Sequence, residues 1–159
     1  MPARPKSLSR NEALRKIQRY CAYQERCVSQ VRDKLARLGV NHKTREELIN
    51  QLAEDGFVDE ERFARAYARG KFRQRQWGKI KIRLKLQEKQ LSPECIAKGL
   101  EELSGPAYEE TLRGLLAAKM QALDEPDLFV RRQKAARLAI RKGFEPGLVW
   151  QILKEEFPG

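Results

Sequence analysis

The residues best placed to bind something are cations. Arg69, Lys71, Arg73, Arg75, Lys79, Lys81, Arg83 and Lys85 crowd one stretch, with Trp77 and Gly78 in its middle. From Arg69 to Lys89 there are nine Lys/Arg and one acid, Glu88. Long cationic stems reach phosphate oxygens, and an exposed indole can stack on a base. A solvated helix face is the plain alternative. It usually mixes signs, so the near absence of acids points to a polyanion or an acidic protein. Trp77 keeps two readings: base stacking, or a plug at the junction of two helices. A second run, Arg131–Lys142, holds six bases and no acids, and Arg131 and Arg132 at its start join the candidates. Arg65 and Arg69 are either structural or contacting.

Little else could do chemistry. Cys21, Cys27 and Cys95 form no CxxC pair, and His42 is the one histidine, so no zinc set can be built. Free thiols in a reducing cytosol fit this usage. Cys21 belongs on an apolar helix face, and His42 in a polar connection over Asn41–Lys43. There is no GxxxxGK[ST] loop, no HExxH and no nucleophile motif. A binding protein without cofactor or metal is expected, not an enzyme.

The elements that must hold these cations are helices. Apolar residues are 41% of the 159 and charged residues 35%, a balance suited to an elongated helical body. The net charge of +11 favours nucleic acid as partner, then acidic protein; no apolar run suggests a membrane. Met1–Ser9 is polar and reads as a flexible arm.

A weak internal repeat organises the rest. Cys27, Val31, Leu35, Gly39 and Val40 recur 51 residues on as Gly78, Ile82, Leu86, Gln90 and Leu91. A further 53 residues on stand Arg131, Ala135, Ala139, Gly143 and Phe144. An apolar pair four apart marks one helix face, and the Gly-apolar ending marks a left-handed C-cap. Gln90 breaks the rule, so the second copy must end differently or with strain. A helix precedes each pair, opened by Ser9, Asp59 and Pro106, and another follows, opened in the first two copies by Thr44 with Glu47 and by Ser92-Pro93. The chain is thus all-α: three tandem three-helix, helix-turn-helix-like repeats over 10–57, 58–104 and 105–159 in an elongated, curved arrangement, after an arm over 1–9. The segment Lys79–Leu86 alternates basic and apolar, the period of a strand, but has no partner run. As a helix it sets Ile80 and Leu84 almost opposite Ile82 and Leu86. Such a helix is buried on two sides or offers an apolar face to a partner.

Several of these residues match a known pattern. Gly56-Phe57-Val58-Asp59-Glu60-Glu61-Arg62-Phe63-Ala64 resembles the junction motif of RecX regulatory proteins, a hydrophobic residue followed by D-[DE]-x-R-F-A. The Gly78, Ile82, Leu86 series resembles that family's second repeat, and Arg26–Val40 its first. Cys27 stands where the family has Ser, and Gln90 where it has Gly. The resemblance implies a cytoplasmic, monomeric regulator in DNA repair, recombination and the SOS response. It would bind RecA and the RecA–single-stranded DNA filament and inhibit its ATPase and strand exchange, with single-stranded and also double-stranded DNA as partners. A general nucleic-acid-binding module and a helical scaffold for an acidic protein are the rivals.

Overall fold

Capping chemistry sets the helix starts. Ser9, Asn41, Asp59, Ser92 and Asp127 each accept a backbone N–H two or three residues on, at 2.9–3.2 Å. The computed structural model describes residues 8–159, and nine α-helices run through them. They are α1 (Arg10–Tyr23), α2 (Val28–Arg37), α3 (His42–Glu54), α4 (Glu60–Arg75), α5 (Lys79–Glu88), α6 (Pro93–Leu100), α7 (Pro106–Ala122), α8 (Leu128–Arg141) and α9 (Pro146–Glu156). A 3-10 turn, Glu101–Leu103, follows α6. No strand occurs among the described residues, and Lys79–Leu86 lies in a helix despite its period of two. The arm expected over 1–9 falls mostly outside the described residues. Leu8 packs on the first core and Ser9 caps α1.

The middle helix of each trio ends in the same way. Gly39, Gln90 and Gly143 take positive φ of 82°, 66° and 100°. The next residue's N–H returns to the carbonyl five back: Val40 to Leu35, Leu91 to Leu86 and Phe144 to Ala139, at 3.1–3.3 Å. Gln90 therefore ends its helix as glycine would, held in a conformation that costs a side-chain-bearing residue. Two expectations need correction. Asn41, not Thr44, caps α3, and His42 is the first helical residue rather than a loop residue. Starting at Asn41 lets the helix follow the Gly39–Val40 cap directly, with no spare linker. In the third trio α8 begins at Leu128, so Arg131 sits inside a helix where Cys27 and Gly78 are N-caps.

The hydrophobic interior is divided unevenly. One cluster, Ala13 to Val58, belongs to α1–α3 and the junction after them. A second runs without a break through α4–α9, from Phe63 to Leu153, and takes in Cys27 from the start of α2. The first joint is polar around that cysteine: Ser29 donates to the Lys89 carbonyl at 2.8 Å, and Arg62 pairs with Glu25 at 2.7 Å. Among the described residues no hydrogen bond or ion pair joins α1–α3 to α7–α9. The trios are strung in line.

Candidate functional site

The candidate cations lie on the end of α4, the turn after it, and α5. Gln76, at φ 55°, closes α4 in the left-handed region and turns the chain toward Gly78, the N-cap of α5. That N-terminus is held by the third trio. The N–H groups of Gly78 and Ile80 donate to the carbonyls of Lys142 and Gly143 at 2.8 and 2.9 Å. The N–H of Lys79 donates to the Tyr108 hydroxyl at 3.0 Å, which in turn donates to Glu145. Burial first, then the bond to Glu145, pushes the Tyr108 hydroxyl well above its ordinary pKa, so it stays a neutral donor. Gly78 is required here, because a Cβ would overlap the backbone of Gly143 and Phe144. Three of the four amides that this helix N-terminus could offer a phosphate, those of Gly78, Lys79 and Ile80, are consumed. A helix-turn-helix reader contacts bases with the first turn of its recognition helix. In α5 that turn is plugged by the α8–α9 turn.

The side chains divide into three groups. Arg73, Arg75 and Arg83 are exposed, and Lys71, Lys79, Lys81 and Lys85 are half-buried along their stems. Among the described residues none of these except Lys85 has a carboxylate within ion-pairing distance, and Lys85 meets only Glu88, at 3.6 Å. Arg69 differs. It bonds Glu102 at 2.9 Å, and Arg65 beside it reaches Glu61, Glu101 and Glu102, so both arginines clamp α4 to the turn after α6. Arg131 and Arg132 form the third group. Both are half-buried, and Arg131 donates to the Met120 carbonyl across the α7–α8 turn. They stand about 15 Å along α8 from the turn that meets α5.

Trp77 packs against the larger core, with Lys71 at 5.1 Å and Lys81 at 4.5 Å over its ring. It plugs the helix junction, and a base could stack on it only by displacing a lysine. The end of α8 that does join α5 supplies residues that sequence reasoning missed. Lys142 Nζ donates to the Arg75 carbonyl at 3.1 Å, and Arg141 and Ile140 lie beside Lys81, Leu84 and Lys85. The acid-free run Arg131–Lys142 was the available signal, but only the fold shows which end meets α5. Nothing local marks Tyr108 and Glu145.

The arrangement is an electropositive surface on a helical frame. No described helix is long and apolar enough to cross a membrane. Residues 59–100 match the family model for the second three-helix domain of RecX, and 107–153 that for the third. The chain is 24% identical over 156 residues to the regulatory protein RecX of Amycolatopsis mediterranei, covering 96% of this chain and 89% of that one. It is 27% identical over 145 residues to the regulatory protein RecX of Prosthecochloris aestuarii, covering 91% and 93%. A crystal structure of RecX from Lactobacillus salivarius superposes with a TM-score of 0.84 at 20% identity, over 92% of this chain and 95% of the other. A second crystal structure, of a regulatory protein RecX, gives 0.82 at 22% identity, over 92% and 71%. Two matched three-helix domains, related sequences and a shared fold agree: the chain belongs to the RecX family of regulatory proteins.

Proposed function

We propose that this chain is a non-catalytic, cytoplasmic, monomeric regulator that binds RecA filaments on single-stranded DNA and inhibits their ATPase and strand exchange. The observation that carries the reading is the density of cations on α4 and α5, where the seven Lys/Arg from Lys71 to Lys85 meet, among the described residues, a single carboxylate, Glu88 beside Lys85. Arg73, Arg75, Lys79, Lys81, Arg83 and Lys85 contact DNA phosphates or acidic filament surfaces, and Lys71 and Trp77 support them. Arg69, Arg131 and Arg132 are assigned a lesser part, because their guanidinium groups are already engaged or half-buried. Units taken as 10–57, 58–104 and 105–159 form a bowed rod long enough to span several filament protomers. Avidity then favours the assembled filament over free RecA.

The test is RecA ATPase activity on single-stranded DNA with the chain titrated in below one molecule per protomer. Strong inhibition is expected. The fourfold variant Lys79→Glu, Lys81→Glu, Arg83→Glu, Lys85→Glu, shown to be folded by circular dichroism, is expected to lose at least tenfold in potency. Equal potency would remove this surface from the mechanism. The rival, a nucleic-acid module that needs no RecA, is favoured if naked single-stranded DNA binds equally well at physiological salt.

A further inference from the structure

Among the described residues four large hydrophobic side chains are exposed: Tyr23, Leu84, Phe129 and Ile140. Two of them meet. Leu84, 54% exposed, and Ile140, 38% exposed, line one groove of about 280 Å³ between α5 and the end of α8, together with the half-buried Ile80. Phe129 lies three turns back from Ile140 on α8, beyond the exposed Gln133 and Arg137, and is not part of the groove. At about 100° per residue, Ile80 and Leu84 stand nearly opposite the buried Ile82 and Leu86. The rows Lys79/Arg83 and Lys81/Lys85 fall between, one on each side. Arg141 closes the rim from α8, and Glu88, already beside Lys85, is the one acid in the lining.

We infer that this groove is the docking site for an acidic, apolar-faced helical segment of the partner protein. Two aliphatic side chains one turn apart on an incoming helix fill the Ile80–Leu84–Ile140 trough, and carboxylates flanking them meet Lys81, Lys85 and Arg141. Nucleic acid does not suit it, because Leu and Ile offer no stacking face and a sugar–phosphate strand gains nothing from covering them. A wholly polar acidic surface would leave the same aliphatic area wet. The inference rests on the filament reading for the partner's identity, but not for the chemistry of the groove.

The experiment uses a fluorescein-labelled helical peptide with Leu at i, i+3, i+4 and i+7 and Glu elsewhere, followed by anisotropy with the full chain. Binding is expected, at least fivefold weaker for the double variant Leu84→Ser, Ile140→Ser and at least fivefold weaker when the peptide's leucines become Ser. These are exposed changes, and thermal melting confirms folding. Equal binding of the Leu and Ser peptides, or of the two proteins, would overturn the groove. So would an oligo-dT affinity that falls as far as the peptide's in the double variant, which assigns the groove to DNA. A wild-type dimer in sedimentation that the double variant dissolves assigns it to a second copy and also overturns the inference. Loss of RecA inhibition in a double variant with unchanged oligo-dT binding would tie the groove to the filament. A wild-type chain that binds the peptide but leaves RecA untouched would refute the filament reading alone.

Discussion

Gly78→Ala should cost this protein about 2–2.5 kcal/mol, although it adds only a methyl group. The added Cβ would lie well under 3.0 Å from backbone atoms of Gly143 and Phe144, where no flexible side chain can yield. The α8–α9 turn must retreat by about 1 Å, which carries hydrogen bonds now at 2.8 and 2.9 Å beyond useful range. With the Lys79 bond to Tyr108 strained as well, three bonds at about 1 kcal/mol each are at stake. The smaller entropy of an unfolded alanine returns about 0.5–1 kcal/mol. Urea unfolding measures the balance, read as a lower midpoint at constant slope. Gly114→Ala is the matched control. Gly114 lies inside α7 with nothing within 4 Å of a built Cβ, so that change should stabilise by about 0.5–1 kcal/mol. If Gly78→Ala lowers stability by less than about 0.5 kcal/mol, the α5–α8 joint is not packed as described.

Gln90→Gly, relieving a side-chain-bearing residue at φ 66°, should stabilise by about 0.5–1 kcal/mol in the same urea assay, and a loss of stability would contradict the strained cap. Burial, partly offset by Arg26, raises the Cys21 thiol from 9.0 to about 11. Below pH 9 it is protonated in both folded and unfolded chains and has no effect. Between 9 and 11 the unfolded chain ionises first, so stability falls, by about 2 kcal/mol in all. Tyr67 and Tyr108, both raised chiefly by burial, extend the loss above pH 10. Unfolding at pH 8, 9.5 and 11 should show this fall, shallower in Cys21→Ala. An equal slope in that variant would exclude Cys21.

What was legible in the sequence was local. The caps at Ser9, Asp59 and Ser92 and the Gly39/Gln90/Gly143 terminators involve atoms within a few residues, and they appear where their spacing places them. Asn41 against Thr44 shows the limit of such signals. Both residues can cap, and the tight turn after Gly39 decides for the first. The cation surface was legible as composition but not as geometry. Arg69 looks like its neighbours until Glu102, 33 residues away, pairs with it. The lock on α5 joins Gly78, Tyr108, Lys142 and Glu145, brought together only by the packing of the third trio on the second. The division into two cores was also hidden, since the three repeats are spaced alike yet share their interior unequally.

The alternating stretch Lys79–Leu86 shows why the choice between strand and helix is also a choice of partner. In a strand, period two would collect every apolar side chain on one face and every cation on the other. The basic face would then suit a polyphosphate and nothing more. In a helix the same residues put Ile82 and Leu86 in the core, Ile80 and Leu84 back to back with them, and the cations in rows between. The outer face is then apolar and basic at once. Such a mixture wastes hydrophobic area against DNA but matches a protein surface that carries both carboxylates and aliphatic side chains. One helix, held at its N-terminus by the neighbouring trio, can therefore present phosphate-seeking cations and a protein-seeking ridge in a single frame.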